Sequence, residues 1–219
     1  MSQPNTPTTA RPATPATPAP LRALALALGL VAGATALSGC APLIVGGAAL
    51  GSALVVTDRR SSGVQFDDQA LEVKAGNRIR EAVGERVRVN VNSYSRLILL
   101  TGEVHKEEDR AAVEAAVAKL DNVKVINELV VDWPRTSGEQ SSDLMLASKV
   151  KAKFVDTRGM ESNAFSVVTN RGVVYLMGKV TEEEAGIAVE VARTVPGVKK
   201  VVRVLDIITP EQLAAIKGR

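Results

Sequence analysis

The chain has one cysteine, one histidine, one tryptophan and an aromatic content of only 3% in 219 residues. With His105 and Cys40 each alone, there is no ligand set at metal spacing, no His–Cys pair and no convergent group of nucleophile and base. No catalytic residue, metal or cofactor is expected, and nothing indicates an enzyme. The formal net charge of +3 is too small to imply DNA or RNA as a partner, and no basic run is interleaved with aromatics that could stack on bases. Scarce aromatics also mean cores of Val, Leu, Ile and Ala, so a small domain of this composition is marginally stable alone.

What the chain does have is an internal repeat. Asn170-Arg171-Gly172-Val173-Val174-Tyr175-Leu176-Met177-Gly178-Lys179-Val180 echoes Ser95-Arg96-Leu97-Ile98-Leu99-Leu100-Thr101-Gly102-Glu103-Val104, with Gly102 against Gly178 and Val104 against Val180. In both copies β-branched and aromatic residues lead to a Gly, and then acidic residues open an Ala/Val-rich segment at helical spacing. A strand therefore feeds a helix. Thr181 with Glu184 forms a capping box, and Glu182, Glu183 and Glu184 complement the helix dipole, which accounts for these acids without catalysis.

Ahead of the repeats, residues 1–20 alternate Thr, Pro and Ala, a composition that predicts disorder. Leu21-Arg22, the apolar run 23–37 and the small residues after it have the layout of a secretory signal, so residues 1–39 read as a disordered region plus signal peptide. Leu37-Ser38-Gly39-Cys40 resembles the lipobox of bacterial lipoproteins, in which the Cys sulfur is acylated. The alternative is a small buried cysteine in an apolar helix. Several acyl chains on Cys40 would anchor the chain stably, where one gives marginal binding. Ala41, in place of Asp after the Cys, implies by resemblance to lipoprotein sorting transfer to the outer membrane. Residues 40–66 read as acylated Cys and Gly/Ala-rich tether. A transmembrane span is the rival: 41–56 is shorter than the roughly 20 residues needed to cross a bilayer, whereas 23–56 uncleaved is long enough.

The first repeat, residues 67–134, reads as a helix from Asp67-Asp68 with Leu71, Ala75, Ile79, Ala82 and Val83 on one face. Strands at 86–91 and 97–104 follow, with a turn at 92–96, then a helix over 107–120 and a strand over 123–131. Residues 135–142 read as a linker. The second repeat, 143–209, predicts a helix over 143–155, strands 164–169 and 172–180 around a tight Asn170-Arg171-Gly172 turn, a helix 182–195 and a strand 198–208. Thr209 and Pro210 start a short C-terminal helix over 210–219. The class is α+β: two αββαβ units, each a three-stranded mixed sheet packed by two helices.

These two units, the Gly-bearing strand 173–178 and the turn-strand run Val195-Pro196-Gly197-Val198-Lys199-Lys200-Val201 resemble tandem BON domains. With Cys40 in front, the architecture is similar to the dual-BON-domain outer-membrane lipoproteins, most closely in the second repeat. The first departs, with Asp121-Asn122-Val123 where the second has Pro196-Gly197-Val198. The resemblance implies a non-enzymatic protein on the periplasmic face of the outer membrane. Its second BON domain would bind anionic phospholipid, phosphatidylglycerol or cardiolipin, and the protein would support envelope integrity. The alternative is a periplasmic scaffold binding a protein of the outer-membrane assembly or division machinery.

A helical wheel of 143–155 puts Leu146, Ala147, Val150 and Phe154 on the core face. Opposite them lie Leu144, Met145, Ser148, Ala152 and Val155, apolar or small where a solvated helix carries charge, flanked by Lys149 and Lys151. These seven are the candidate phospholipid-binding residues, because lysine stems cover apolar surface while their ammonium groups reach phosphates. Packing of Leu144, Met145 and Val155 against the other repeat or the C-terminal helix is the alternative. In such lipoproteins an aromatic tends to sit early in this helix, where this chain has Leu144. The first repeat's helix turns Lys74, Asn77, Arg80 and Glu81 outward, with Val73 as its apolar exception. His105 reads as a capping or solvent-facing residue, and Trp133 as packing at a domain junction.

Overall fold

A computed structural model describes residues 58–218. The signal segment, Cys40 and the possible span within 23–56 lie outside the described residues, among which no helix is long and apolar enough to cross a membrane. The first unit runs α1 (Ser62–Val83), β1 (Arg88–Tyr94), β2 (Leu97–Val104), α2 (Glu107–Val117) and β3 (Lys124–Val131). The second runs α3 (Ser137–Asp156), β4 (Phe165–Asn170), β5 (Val173–Val180), α4 (Glu182–Arg193) and β6 (Lys200–Ile207), followed by α5 (Pro210–Lys217). In each unit the middle strand pairs antiparallel with the strand before it and parallel with the strand after it, as in Val91 opposite Leu100 opposite Asn127. The α+β reading with two mixed three-stranded sheets holds.

The capping boxes at Thr181 with Glu184 and at Thr209 with Gln212 are both present. Other boundaries differ. A capping box of Thr136 with Glu139 starts α3 at Ser137, so most of the 135–142 stretch is helix rather than linker. Its polar composition hid a Thr-x-x-Glu start signal. Ser61 caps α1, which therefore starts at Ser62, five residues before Asp67, and Ala82 is exposed. The first hairpin turn is only Ser95-Arg96, and in the second it is Arg171 and Gly172, not Asn170, that take positive φ.

The glycines shared by the repeats lie within their strands, not at the ends. A Cβ on Gly102 would stand 2.1 Å from the Arg88 carbonyl oxygen, and one on Gly178 would stand 2.4 Å from that of Ala164. Backbone cannot yield cheaply there, so Gly178→Ala is expected to cost about 1–3 kcal/mol, read as a lower denaturant midpoint. A change below about 0.5 kcal/mol would show that the strands separate freely.

Alternation along the middle strands sends Ile98, Leu100 and Val104 onto α1 and α2, and Val174, Leu176 and Val180 onto α3 and α4. The opposite face of each sheet is apolar too. Tyr94 and Leu99 from the first sheet meet Tyr175, Met177 and Val204 from the second in a shared core between the units. Both middle strands are thus buried on both sides, as their near-continuous apolar sequence requires. Among the described residues each core is built from two helices and a sheet, or from both sheets, all within 58–218, which makes residues 58–219 the fragment to test.

Candidate functional site

Helix α3 is fixed by its first core residue, Asp143. Its carboxylate, nearly buried, accepts hydrogen bonds from the Arg171 and Gly172 amides, each at 2.9 Å, and an ion pair from Arg135. Charge-assisted bonds to turn amides clamp the helix across the hairpin. Leu146, Val150 and Phe154 then point into the core, and the opposite stripe faces solvent.

That stripe is apolar. Leu144 is 71% exposed, Met145 63% and Val155 66%, with Ser148 and Ala152 between them. The Ser148 hydroxyl donates to the Leu144 carbonyl at 3.0 Å, so the one polar side chain on the stripe already has its acceptor. None of the three large residues is covered by the other unit or by α5. Lys149 is exposed and pairs with no carboxylate among the described residues. Lys151 departs from the expectation that it flanks the stripe as a free cation. Its Nζ turns inward and donates to the Ser162 and Phe165 carbonyls at 2.6 Å each, and burial lowers its pKa. Backbone carbonyls left open beside the 3-10 turn at Ser162–Ala164 draw the ammonium in. Among the described residues no group of three or more His, Cys, Asp or Glu is placed to hold a metal.

The BON domain family model matches residues 67–132 and again 142–209, together more than half the chain. The chain belongs to the BON-domain family. It is 35% identical to the outer membrane lipoprotein DolP of Haemophilus influenzae over 84% of this chain and 95% of that one. It is also 31% identical to a 21 kDa hemolysin of Actinobacillus pleuropneumoniae, covering 69% of this chain and 79% of that one. With two BON domains and this similarity, it is a dual-BON protein of the DolP-like kind.

The clamp on α3 recurs in the first BON domain. Asp68 accepts from the Ser93 hydroxyl, the Ser95 and Arg96 amides and Arg60. Burial pushes the Asp68 pKa up, but these bonds outweigh it and leave the pKa lowered. Arg60 precedes Asp68 by the same eight positions that separate Arg135 from Asp143. Sequence reading placed Asp68 and Asp143 only at helix starts. The recurring Arg with Asp eight residues on was the available signal.

Two further expectations change. Trp133 is 79% exposed, its ring edge-on to that of His105 at 5.8 Å, because the junction is filled instead by Arg135, Glu103 and Arg171. On α1, Phe66 is 75% exposed seven residues before the 61% exposed Val73, on the same helical stripe. Starting the helix at Asp67 had left Phe66 out.

The segment entering the first BON domain also grips the second. Arg59 makes a bidentate pair with Glu184 at 2.6 and 2.7 Å and donates to the Lys179 carbonyl. The Arg59 hydrogen bonds hold the Glu184 carboxyl down to about 2 against burial, which alone would raise it, with help from the Thr181 amide. A depressed carboxylate pKa contributes stability that is complete above the ordinary value near 4.5 and is lost as pH falls toward 2. Glu184→Gln should therefore flatten the fall in unfolding free energy over that window, measured by denaturant titration at stepped pH. An unchanged slope would show that Arg59 does not hold this carboxylate in solution.

Proposed function

We propose that this protein is an outer-membrane lipoprotein, acylated at Cys40 and facing the periplasm. Its second BON domain binds anionic phospholipid through α3, and its role is to support envelope integrity. The observation that carries the reading is the exposed stripe of Leu144, Met145 and Val155 on a helix whose orientation Asp143 fixes. An apolar stripe with its lone hydroxyl satisfied suits the acyl boundary of a bilayer, and Lys149 at its edge suits phosphates. Asp58, where the described chain begins, lines the same shallow pocket as Ala147 and Ser148, which is consistent with a membrane anchor on the side of α3. The similarity to the outer membrane lipoprotein DolP supports the location.

Flotation of residues 58–219, free of acyl chains, on phosphatidylcholine vesicles with and without phosphatidylglycerol or cardiolipin tests it. Binding should require the anionic lipid, fall with salt and vanish when Leu144 and Met145 are both made Glu. Indifference to lipid charge and to those substitutions would sink the reading. A second reading, a scaffold for a protein partner in the envelope, draws on the exposed Trp133 beside Val131 and His105, since large exposed aromatics anchor protein interfaces. Flotation that fails while Trp133→Ala disrupts a complex would favour it.

A further inference from the structure

Beside the apolar stripe, α3 and the Pro196-Gly197 turn enclose a cleft of about 400 Å³. Lys149 stands on the helix side, Lys199 on the turn side, and Arg171-Gly172 at one end. Two carboxylates also line it, and both are committed within the fold. Asp143 receives Arg135 and the two turn amides, and Glu139 closes the capping box with Thr136. Arg171 is likewise held by Glu103 and Asp132. Of the four cations lining the cleft, Lys149 and Lys199 are the two with no carboxylate partner among the described residues.

Two glycines keep the cleft open. A Cβ at Gly172 would press on the Lys199 stem at 3.1–3.2 Å, so that stem lies across the glycine along the wall of the cleft. Gly197 has φ +102°, a conformation that L side chains rarely adopt, and a Cβ there would meet Leu146 at 3.4 Å. The first BON domain has Arg96 in place of Gly172 and Asn122 in place of Gly197. Arg96 there reaches Asp67 at 3.8 Å, and Asp121 adds a further acid at the turn. The lysines themselves have counterparts there, Lys74 and Lys124, whose amide likewise donates to the Arg96 carbonyl, so what sets the second domain apart is the pair of glycines that leaves room between them.

Position decides what such a cleft can hold. At 100° per residue, Lys149 lies about 40° around the helix from Met145, so the cleft opens at the edge of the apolar stripe. We propose that it receives the phosphate of an anionic glycerophospholipid, Lys149 and Lys199 closing on it from opposite sides while the acyl chains lie under Leu144 and Met145. This rests on the membrane reading above and adds a headgroup site to it. In a half-open cleft two ammonium groups are screened less than on open surface, so they favour a phosphate without a compensating cation.

The test uses residues 58–219 and phosphatidylglycerol vesicles. Lys149→Ala and Lys199→Ala should each weaken binding about five-fold, whereas Lys119→Ala, an exposed lysine on the other domain, should not. Amide resonances of Gly172 and Gly197 should shift on adding sn-glycerol 3-phosphate, and Lys199→Ala should abolish the shift, with circular dichroism showing an unchanged fold. Full vesicle binding by Lys199→Ala, with binding still lost in the Leu144 and Met145 variant, would overturn the cleft and leave the membrane reading standing. Shifts that persist in Lys199→Ala would also overturn it. A saturable glycerol phosphate response without vesicle binding would overturn the lipid as its source and the membrane reading together.

Discussion

Glu103→Ala should destabilise residues 58–219 by about 3 kcal/mol or more, among the largest losses open to a single polar substitution here. The Glu103 side chain is fully buried on the face of β2 turned toward the second BON domain. Arg135, 5% exposed, lies 2.8 Å from it through Nε, an ion-pair contact without hydrogen-bond alignment, and Arg171 lies 3.3 Å from the same oxygen. Removing Glu103 leaves the buried Arg135 guanidinium with Asp143 alone, and an undercompensated buried charge is where truncation of one partner costs most. Urea unfolding measures it. Because Glu103 belongs to one domain and Arg171 to the other, the variant's transition should also broaden as the domains lose coupling. Adding Arg135→Met should recover part of the loss by removing the stranded charge, and a double variant no better than the single one would show that the cost lies elsewhere.

The other large effect is on membrane binding. Making both Leu144 and Met145 into Glu should lower the affinity of residues 58–219 for phosphatidylglycerol vesicles by at least about 100-fold. Burial of each side chain in the acyl boundary is worth up to about 1.5–3 kcal/mol, and each new carboxylate faces an anionic surface at a further cost of about 1 kcal/mol. Stability in solution should change by no more than about 0.5 kcal/mol per site, since both side chains are more than half exposed and far from the core contacts. The two readouts separate a membrane face from a structural one. Binding that survives both changes would move the contact to another surface, with Phe66 and Val73 on α1 the next to test.

Much of this was legible locally. The alternation of 97–104 and 173–180, the Thr181 and Thr209 caps and the solvent side of α3 all follow from periods of 2 and 3.6 and from capping chemistry, which act among residues a few positions apart. The helix starts at Ser62 and Ser137 were equally local, yet polar composition masked them. Lys151 was misplaced for a different reason. Wheel geometry tells which way a Cα points, but not that two carbonyls eleven and fourteen residues on would draw the ammonium inward.

By itself the sequence determined the duplicated αββαβ plan, the order of its elements and the apolar stripe on α3, because neighbouring residues suffice to define each. Only the tertiary structure decided that the spare faces of the sheets close on each other, that Asp68 and Asp143 clamp the hairpin turns, and that Trp133 stands outside. It also set Lys149 against Lys199 across a cleft. These depend on pairs from 25 to 125 positions apart, such as Asp68 with Ser93 and Arg59 with Glu184. Distance along the chain carries no period to read, so only packing could choose those partners.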